Sequence, residues 1–335
     1  MKIISTLSFF LFFAAKMFAQ SGEQVFNSSG MFTVPPDVNS VTIEVIGAGG
    51  SGGFNGTGGG SGGGFASGTY SVLPLEILAV VIGVPGINAF EGSTYVNTAA
   101  VLILATGGEN GVSVPNPDIG GGGIGGTGIG GTISNFTGGN GGGGFYTYFG
   151  GGGGGAAGPS GNGIDGGNTI AWTGICNTPG GEPGVGGGTP AGDGGKGAGF
   201  TDDFCTVTDP AGNGALYGGG GGGGNGNGGG PGNGAGGWCK ISWCDVNTNL
   251  VATEGVIVAE AVDVLYQWID CDNGNSIIDG ETEAAFYPTV AGNYAVIIND
   301  GICIDTSECF SNGPKGNSIN SSPENILSIS NNPFT

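Results

Sequence analysis

A glycine-rich stretch from Gly47 to Gly237 limits what this chain can fold into more than any other feature. The 335-residue chain has 83 glycines. Nine lie outside the stretch (Gly22, Gly30, Gly255, Gly274, Gly280, Gly292, Gly301, Gly313, Gly316), leaving 74 within its 191 residues, about 39%. The usual glycine content is about 7%. At roughly 1 kcal/mol per glycine relative to alanine, helices are disfavoured throughout. Two outcomes stay open. One is a coil, the default for glycine-rich linkers. The other is an ordered array of extended helices with three residues per turn and no internal hydrogen bonds, in which missing side chains let neighbouring backbones bond to one another. Ordering glycine costs about 0.5–1 kcal/mol more per residue than ordering alanine. An ordered array therefore needs extensive interchain bonding, disulfides and aromatic edges to offset it. Aromatic residues are frequent in the stretch (Phe145, Tyr146, Tyr148, Phe149, Trp172, Phe200, Phe204, Tyr217, Trp238) and charge is sparse, which argues against a pure coil. Collagen is excluded, because there is no strict Gly-x-y period and only 16 prolines.

The strand Val41–Ile46 runs into Gly47-x-Gly49-x-x-Gly52, the spacing of a dinucleotide-binding turn. That chemistry requires a helix next, to hold a pyrophosphate at its N-terminus, and an acid about 20 residues on. Here more glycine follows, and the nearest later acid is Glu76. The match is a by-product of composition. Gly194-Gly195-Lys196 lacks both the earlier glycine spacing and the hydroxyl residue of a phosphate loop.

The N-terminus reads as an export signal over 1–19: Lys2, an apolar run from Ile3 to Ala15 centred on Phe9-Phe10-Leu11-Phe12-Phe13, then small residues with cleavage after Ala19. The run is short for a bilayer span. The mature chain would then hold 26 acids and three lysines (Lys196, Lys240, Lys315), a net charge of −23, with no arginine and no histidine. These absences exclude nucleic-acid binding, which needs a basic footprint. They also exclude histidine-based triads and His-ligated zinc. Seven cysteines remain: Cys176, Cys205, Cys239, Cys244, Cys271, Cys303 and Cys309. In an oxidising compartment they read as disulfide cysteines, with the odd count leaving one unpaired or paired outside the chain. No cofactor is expected.

Alternating β-branched segments predict an all-β fold. Strands are expected at Val25–Phe26, Phe32–Val34, Val41–Ile46, Gly68–Leu73, Glu76–Ile82, Tyr95–Val96 and Val101–Ala105, closed by Trp238–Cys244. Phe32-Thr33-Val34-Pro35-Pro36-Asp37-Val38 leads to Val41–Ile46 and Gly47-Ala48-Gly49-Gly50. Gly63–Gly68, Ile82-Gly83, Leu104–Gly108 and Gly234–Trp238 follow. This series resembles the glycine-rich surface domains of exported bacterial proteins and phage adhesins over residues 24–244. The resemblance implies a β-sandwich from which long glycine loops project, loops that in relatives pack as polyglycine II helices. Cysteines within the glycine region depart from that pattern.

Glycine density falls after Gly237, and residues 249–310 read as a second, small β-sandwich. Tyr266-Gln267-Trp268 and Cys271, Gly292-Asn293-Tyr294-Ala295-Val296, and the ending Gly301–Cys309 resemble the immunoglobulin-like repeats of large secreted Bacteroidetes surface proteins. That likeness implies a spacer or adhesive module with Trp268 in its core. Asp270, Asp272, Asp279 and Glu281 are weak calcium candidates, with acids at positions one, three and twelve of an EF-hand-like loop. The glycine is one place early, and the flanks read as strands, so a hairpin turn with solvated acids is the expectation. Residues 311–325 form a polar linker. Residues 326–335 resemble the first strand of a C-terminal sorting domain of the type IX secretion route, in truncated form.

These readings point to a secreted or outer-surface, non-enzymatic, adhesin-like protein whose partner is a surface glycan or a protein. Phe145, Tyr146, Tyr148 and Phe149 are the candidate ligand-facing aromatics, with an aromatic edge sealing the glycine region as the alternative. A glycan-binding accessory module is the second functional class, and ice binding a more distant third. An enzyme built on paired carboxylates has only the adjacent Asp202 and Asp203 to draw on.

Overall fold

The computed structural model describes residues 21–312, apart from 37, 56, 87, 98–101, 113–119, 146–147, 170–177, 207, 254 and 302. The expected signal peptide, most of the linker, the terminal sorting segment, Tyr146, Trp172 and Cys176 lie outside the described residues. The chain divides into two units, Met1–Asp245 and Val246–Thr335. Strands dominate the described residues, and the one helical segment among them is a single 3₁₀ turn, Cys271–Asn273. The all-β expectation holds.

The strands of the first unit are β1 (Gly22–Phe26), β2 (Gly30–Thr33), β3 (Ser40–Ile46), β4 (Phe65–Ser71), β5 (Ile77–Val81), β6 (Thr94–Asn97), β7 (Leu102–Ala105), β8 (Gly128–Ile129), β9 (Ser134–Phe136), β10 (Gly199–Phe200), β11 (Thr208–Asp209) and β12 (Trp238–Trp243). Two antiparallel sheets form, ordered β1-β12-β3-β4-β9 and β2-β5-β6-β7-β8. In β3 the strict alternation of Val41, Ile43 and Val45 with Thr42 and Glu44 sends every second side chain inward. Phe32, Leu78, Val80, Val96 and Ile103 of the second sheet share one buried cluster with Val41, Ile43, Val45 and Ile241 of the first. That cluster is the sandwich core. On the outer face of the first sheet Lys240 lies opposite Glu44 in register, and Nζ reaches the carboxylate at 2.6 Å. Thr42 and Thr69 hydroxyls meet beside it at 2.9 Å.

The sequence expectations for β3, β6, β7 and β12 fall within a residue or two of the observed bounds. The short strands β8 to β11 were not foreseen, because each holds two or three residues among glycines. The glycine tracts are the connections of this sandwich, running between β3 and β4, β7 and β8, β9 and β10, and β11 and β12.

The second unit holds β13 (Leu250–Thr253), β14 (Val256–Ala259), β15 (Leu265–Asp270), β16 (Ser276–Ile277), β17 (Ala285–Phe286), β18 (Gly292–Asn299), β19 (Ile304–Thr306) and β20 (Phe310–Asn312). One sheet is β13-β14-β17; the other is β16-β15-β18-β19, with β20 also pairing β18. β20 runs two residues into the stretch read as linker. Trp268 is fully buried, as expected of a core tryptophan, and its indole N–H donates to the Glu283 carbonyl at 2.8 Å. Phe286 stacks on it at 5.0 Å and meets Tyr294 edge-on at 5.0 Å.

Candidate functional site: a glycine lattice and its rim

The glycine tracts are ordered, and their hydrogen bonds repeat every third residue. The N–H of Gly59 donates to the carbonyl of Gly142, that of Gly60 to Gly221 and that of Ser61 to Glu109. Gly62, Gly63 and Gly64 then return to the same three neighbours, at Gly139, Gly218 and Thr106. A strand alternates between two neighbours. A helix with three residues per turn addresses three. The segment Gly150–Gly158 completes the picture. Its N–H groups go to 192–198, 57–63 and 161–167 in rotation, and its carbonyls accept from 181–187, 220–223 and 139–142. It is therefore surrounded by six parallel or antiparallel neighbours, the packing of a polyglycine II lattice. The order left open by the sequence is settled in favour of the lattice for the described tracts.

Glycine is required here by close approach. A Cβ on Gly62 would lie 1.9 Å from the Gly155 carbonyl oxygen, and one on Gly153 would lie 2.1 Å from that of Gly220. Gly47–Gly52 belongs to the same lattice, with Gly47 donating to Gly64, Gly49 to Ala235 and Gly52 to Gly232. This is the place the nucleotide fingerprint occupied in the sequence, and no helix follows it. Where the lattice meets the sandwich, Ala156 and Ala157 pack with Ile46, Phe65 and Trp238.

At one edge, side chains stand in for a lattice neighbour. Asn162, Asp165 and Asn168 accept from the N–H groups of Thr137, Asn140 and Gly143 at 2.9, 2.7 and 2.6 Å. Gly163, Gly166 and Thr169 return backbone bonds to the carbonyls of the same three residues. The sequence reading missed this ladder, although Asn162-x-x-Asp165-x-x-Asn168 carries the three-residue period in plain view.

The candidate aromatics separate. Phe149 is 1% exposed and sits edge-on to Phe200 at 5.8 Å, so its ring faces the interior. Phe145 is partly buried and exchanges backbone hydrogen bonds with Phe149. Tyr148 is 40% exposed, 6.4 Å from Phe200. Phe200 begins the β10–β11 hairpin, whose connection carries Phe204, 84% exposed, and Cys205, which is disulfide-bonded. Lys196 anchors the hairpin through Asp209 at 2.5 Å. Asp202 is engaged with Thr206 through both its carboxylate oxygens. The structure thus brings Tyr148 near a hairpin the sequence had not connected to it, and takes Phe149 away from solvent.

The four acids of the calcium reading do not converge. Among the described residues no group of three or more His, Cys, Asp or Glu is placed to hold a metal. Asp270 Oδ1 accepts the Asp272 N–H at 3.0 Å and caps the 3₁₀ turn. Asp272 accepts from the Asn293 backbone at 2.8 Å and its carboxamide at 2.7 Å. These two bonds hold the Asp272 carboxyl below the ordinary aspartate range. Gly274 and Asn275 adopt left-handed φ of 65° and 59°, which a tight turn between β15 and β16 demands. Asp279 and Glu281 lie after β16, and the Glu281 carbonyl accepts the Trp268 backbone N–H.

Cys271 and Cys309 are joined across 38 residues. Cys205, Cys244 and Cys303 are also disulfide-bonded. Cys239 keeps a free thiol, buried in the sandwich core, and burial together with the nearby Glu44 carboxylate pushes its pKa up. Among the described cysteines it is the one with a free thiol, one of the two outcomes the odd count left open.

Among the described residues no helix is long and apolar enough to cross a membrane. No curated protein matches the chain. The sequence profile of a family described as a glycine-rich domain matches residues 26–244, the sandwich together with its lattice. The chain belongs to that glycine-rich domain family.

Proposed function

We propose that this chain is an exported, non-enzymatic, adhesin-like surface protein in which the glycine lattice is a rigid platform for a binding rim. The observation that carries the reading is the distribution of side chains. The lattice interior is almost all backbone, and the bulky residues of the tracts stand at its margins, with Phe204 and Tyr148 exposed beside a disulfide-anchored hairpin. The export signal supports the secreted or outer-surface location. The resemblance of 249–310 to immunoglobulin-like repeats supports a spacer role for the second unit, and that of 326–335 supports type IX secretion. The acidic balance disfavours anionic partners.

The partner class best matched by exposed tyrosine and phenylalanine rings is a glycan, since aromatic faces stack on sugar rings. The test is binding of the full chain to glycan and matrix-protein arrays. Binding that disappears in Phe204→Ala and Tyr148→Ala while thermal stability is kept supports the reading. Failure to bind any surface on the arrays overturns it.

A further inference from the structure

The two sheets of the sandwich have unlike outer faces. That of the first is polar, with Glu44, Lys240, Thr42 and Thr69 pairing among themselves. That of the second is apolar. Met31, Ala79, Asn97 and Leu102 lie side by side across β2, β5, β6 and β7, and Val81, Tyr95, Leu104 and Ile129 form the next row across β5 to β8. Met31, Leu102 and Ile129 are 66%, 49% and 50% exposed. An antiparallel sheet with one solvated face normally alternates apolar and polar residues, and here both faces are apolar. The segment Ala89–Glu91, with Phe90 88% exposed, stands beside this face and turns part of it into a cleft of about 690 Å³.

We propose that this cleft binds a neutral, largely apolar small molecule. Its volume falls within the roughly 300–1,000 Å³ of small-ligand sites. The lining contains no cation, and its one carboxylate, Glu91, is held by the Asn88 carboxamide at 3.1 Å. Anionic ligands therefore find no counter-charge. Ser93 and Thr106 hydroxyls are bonded within the protein. Tyr95 and Asn97 make no side-chain hydrogen bond to a described residue, which leaves a hydroxyl and a carboxamide to orient a ligand on an otherwise apolar floor.

A second copy is a poorer occupant. Five strands of about four residues give a face of about 24 by 14 Å, roughly 330 Å², against about 800 Å² per partner in a standard interface. Each copy would also bring a formal charge of −21. The site is separate from the aromatic rim and does not depend on it.

The test is fluorescence titration of the full chain with Nile red, a neutral dye, and with ANS, an anionic one, alongside sedimentation velocity. Saturable Nile red binding near one site per chain, ANS at least about tenfold weaker, and about tenfold loss of Nile red affinity in Leu104→Gln and Leu102→Gln with an unchanged melting temperature support the proposal. Leu102 is half-exposed and serves if Leu104→Gln does not fold. No saturable binding, affinity in both variants equal to that of the unsubstituted chain, or dye binding that falls as the protein dimerises overturns it.

Discussion

The lattice and the second unit solve the same problem by opposite means. Both must satisfy every buried backbone N–H and C=O. The second unit does so with strands that bond to one to three neighbours within a sheet, and fills the space between sheets with Trp268, Phe286, Tyr294 and Val296. The lattice bonds each extended segment to as many as six neighbours and leaves no space for side chains at its interior glycines. In the second unit, identity is fixed by a few large residues and a disulfide. In the lattice it is fixed by what is absent at many positions. Sensitivity to substitution should therefore differ in kind between the two.

The largest effect is expected inside the lattice. Gly153→Ala places a Cβ 2.1 Å from the Gly220 carbonyl, in a segment hemmed in by backbone on all sides. Overpacking of this kind commonly costs 1–3 kcal/mol, and with no flexible side chain to yield we expect more than about 3 kcal/mol. Calorimetry should show the lattice transition lowered or lost while that of the second unit is kept. A lattice transition unmoved by Gly153→Ala would break the comparison.

Next comes the second unit. Replacing Cys271 and Cys309 by alanine frees a 38-residue loop, which chain entropy puts at about 4 kcal/mol. Denaturant unfolding should register the loss in that unit's transition. A smaller effect of opposite sign is expected at Gly121, where an added Cβ meets nothing within 4 Å. Gly121→Ala should raise stability by about 0.4–1 kcal/mol by restricting the unfolded chain. The same substitution at two glycines of one lattice then gives opposite signs, which a coil could not produce.

The smallest effect is electrostatic. Asp272 titrates below the ordinary aspartate value of 3.8 because Asn293 hydrogen-bonds its charged form. A depressed folded pKa contributes stability that is present above the unfolded value and is lost as pH falls through the folded one. The melting temperature of the chain should exceed that of Asp272→Asn at neutral pH, and the gap should close as the pH falls below the ordinary aspartate range. A gap that stays constant as the aspartates are protonated contradicts that origin.

Much of the sandwich was legible because β-branched alternation in Val41–Ile46, and the alternation of Trp, Lys and Ser with Cys and Ile241 in Trp238–Cys244, are local signals. The core role of Trp268 was legible through the resemblance of Tyr266-Gln267-Trp268 to immunoglobulin-like repeats. The lattice was legible only as a possibility. Which neighbour each N–H meets is set by pairs such as Gly49 with Ala235 and Gly63 with Gly218, and identical glycines carry no register. The polar ladder at Asn162, Asp165 and Asn168 does carry a register, at a period of three rather than the two of a strand or the 3.6 of an α-helix. Phe149 looked ligand-facing because adjacency to tyrosines hides which ring turns inward. The apolar outer face of β5 to β7 was visible as a run, Val101–Ala105, but a run reads as burial on both sides, and here one side is open.

The central claim is that the glycine tracts are an ordered lattice whose segments bond in three directions. Amide hydrogen exchange across Gly59–Gly64 and Gly150–Gly158 tests it most directly. The lattice predicts slow exchange at every consecutive residue of both segments, because each N–H is bonded in turn to a different neighbour. Exchange at coil rates across these segments, or protection at only alternate residues as on the edge of a sheet, would contradict it.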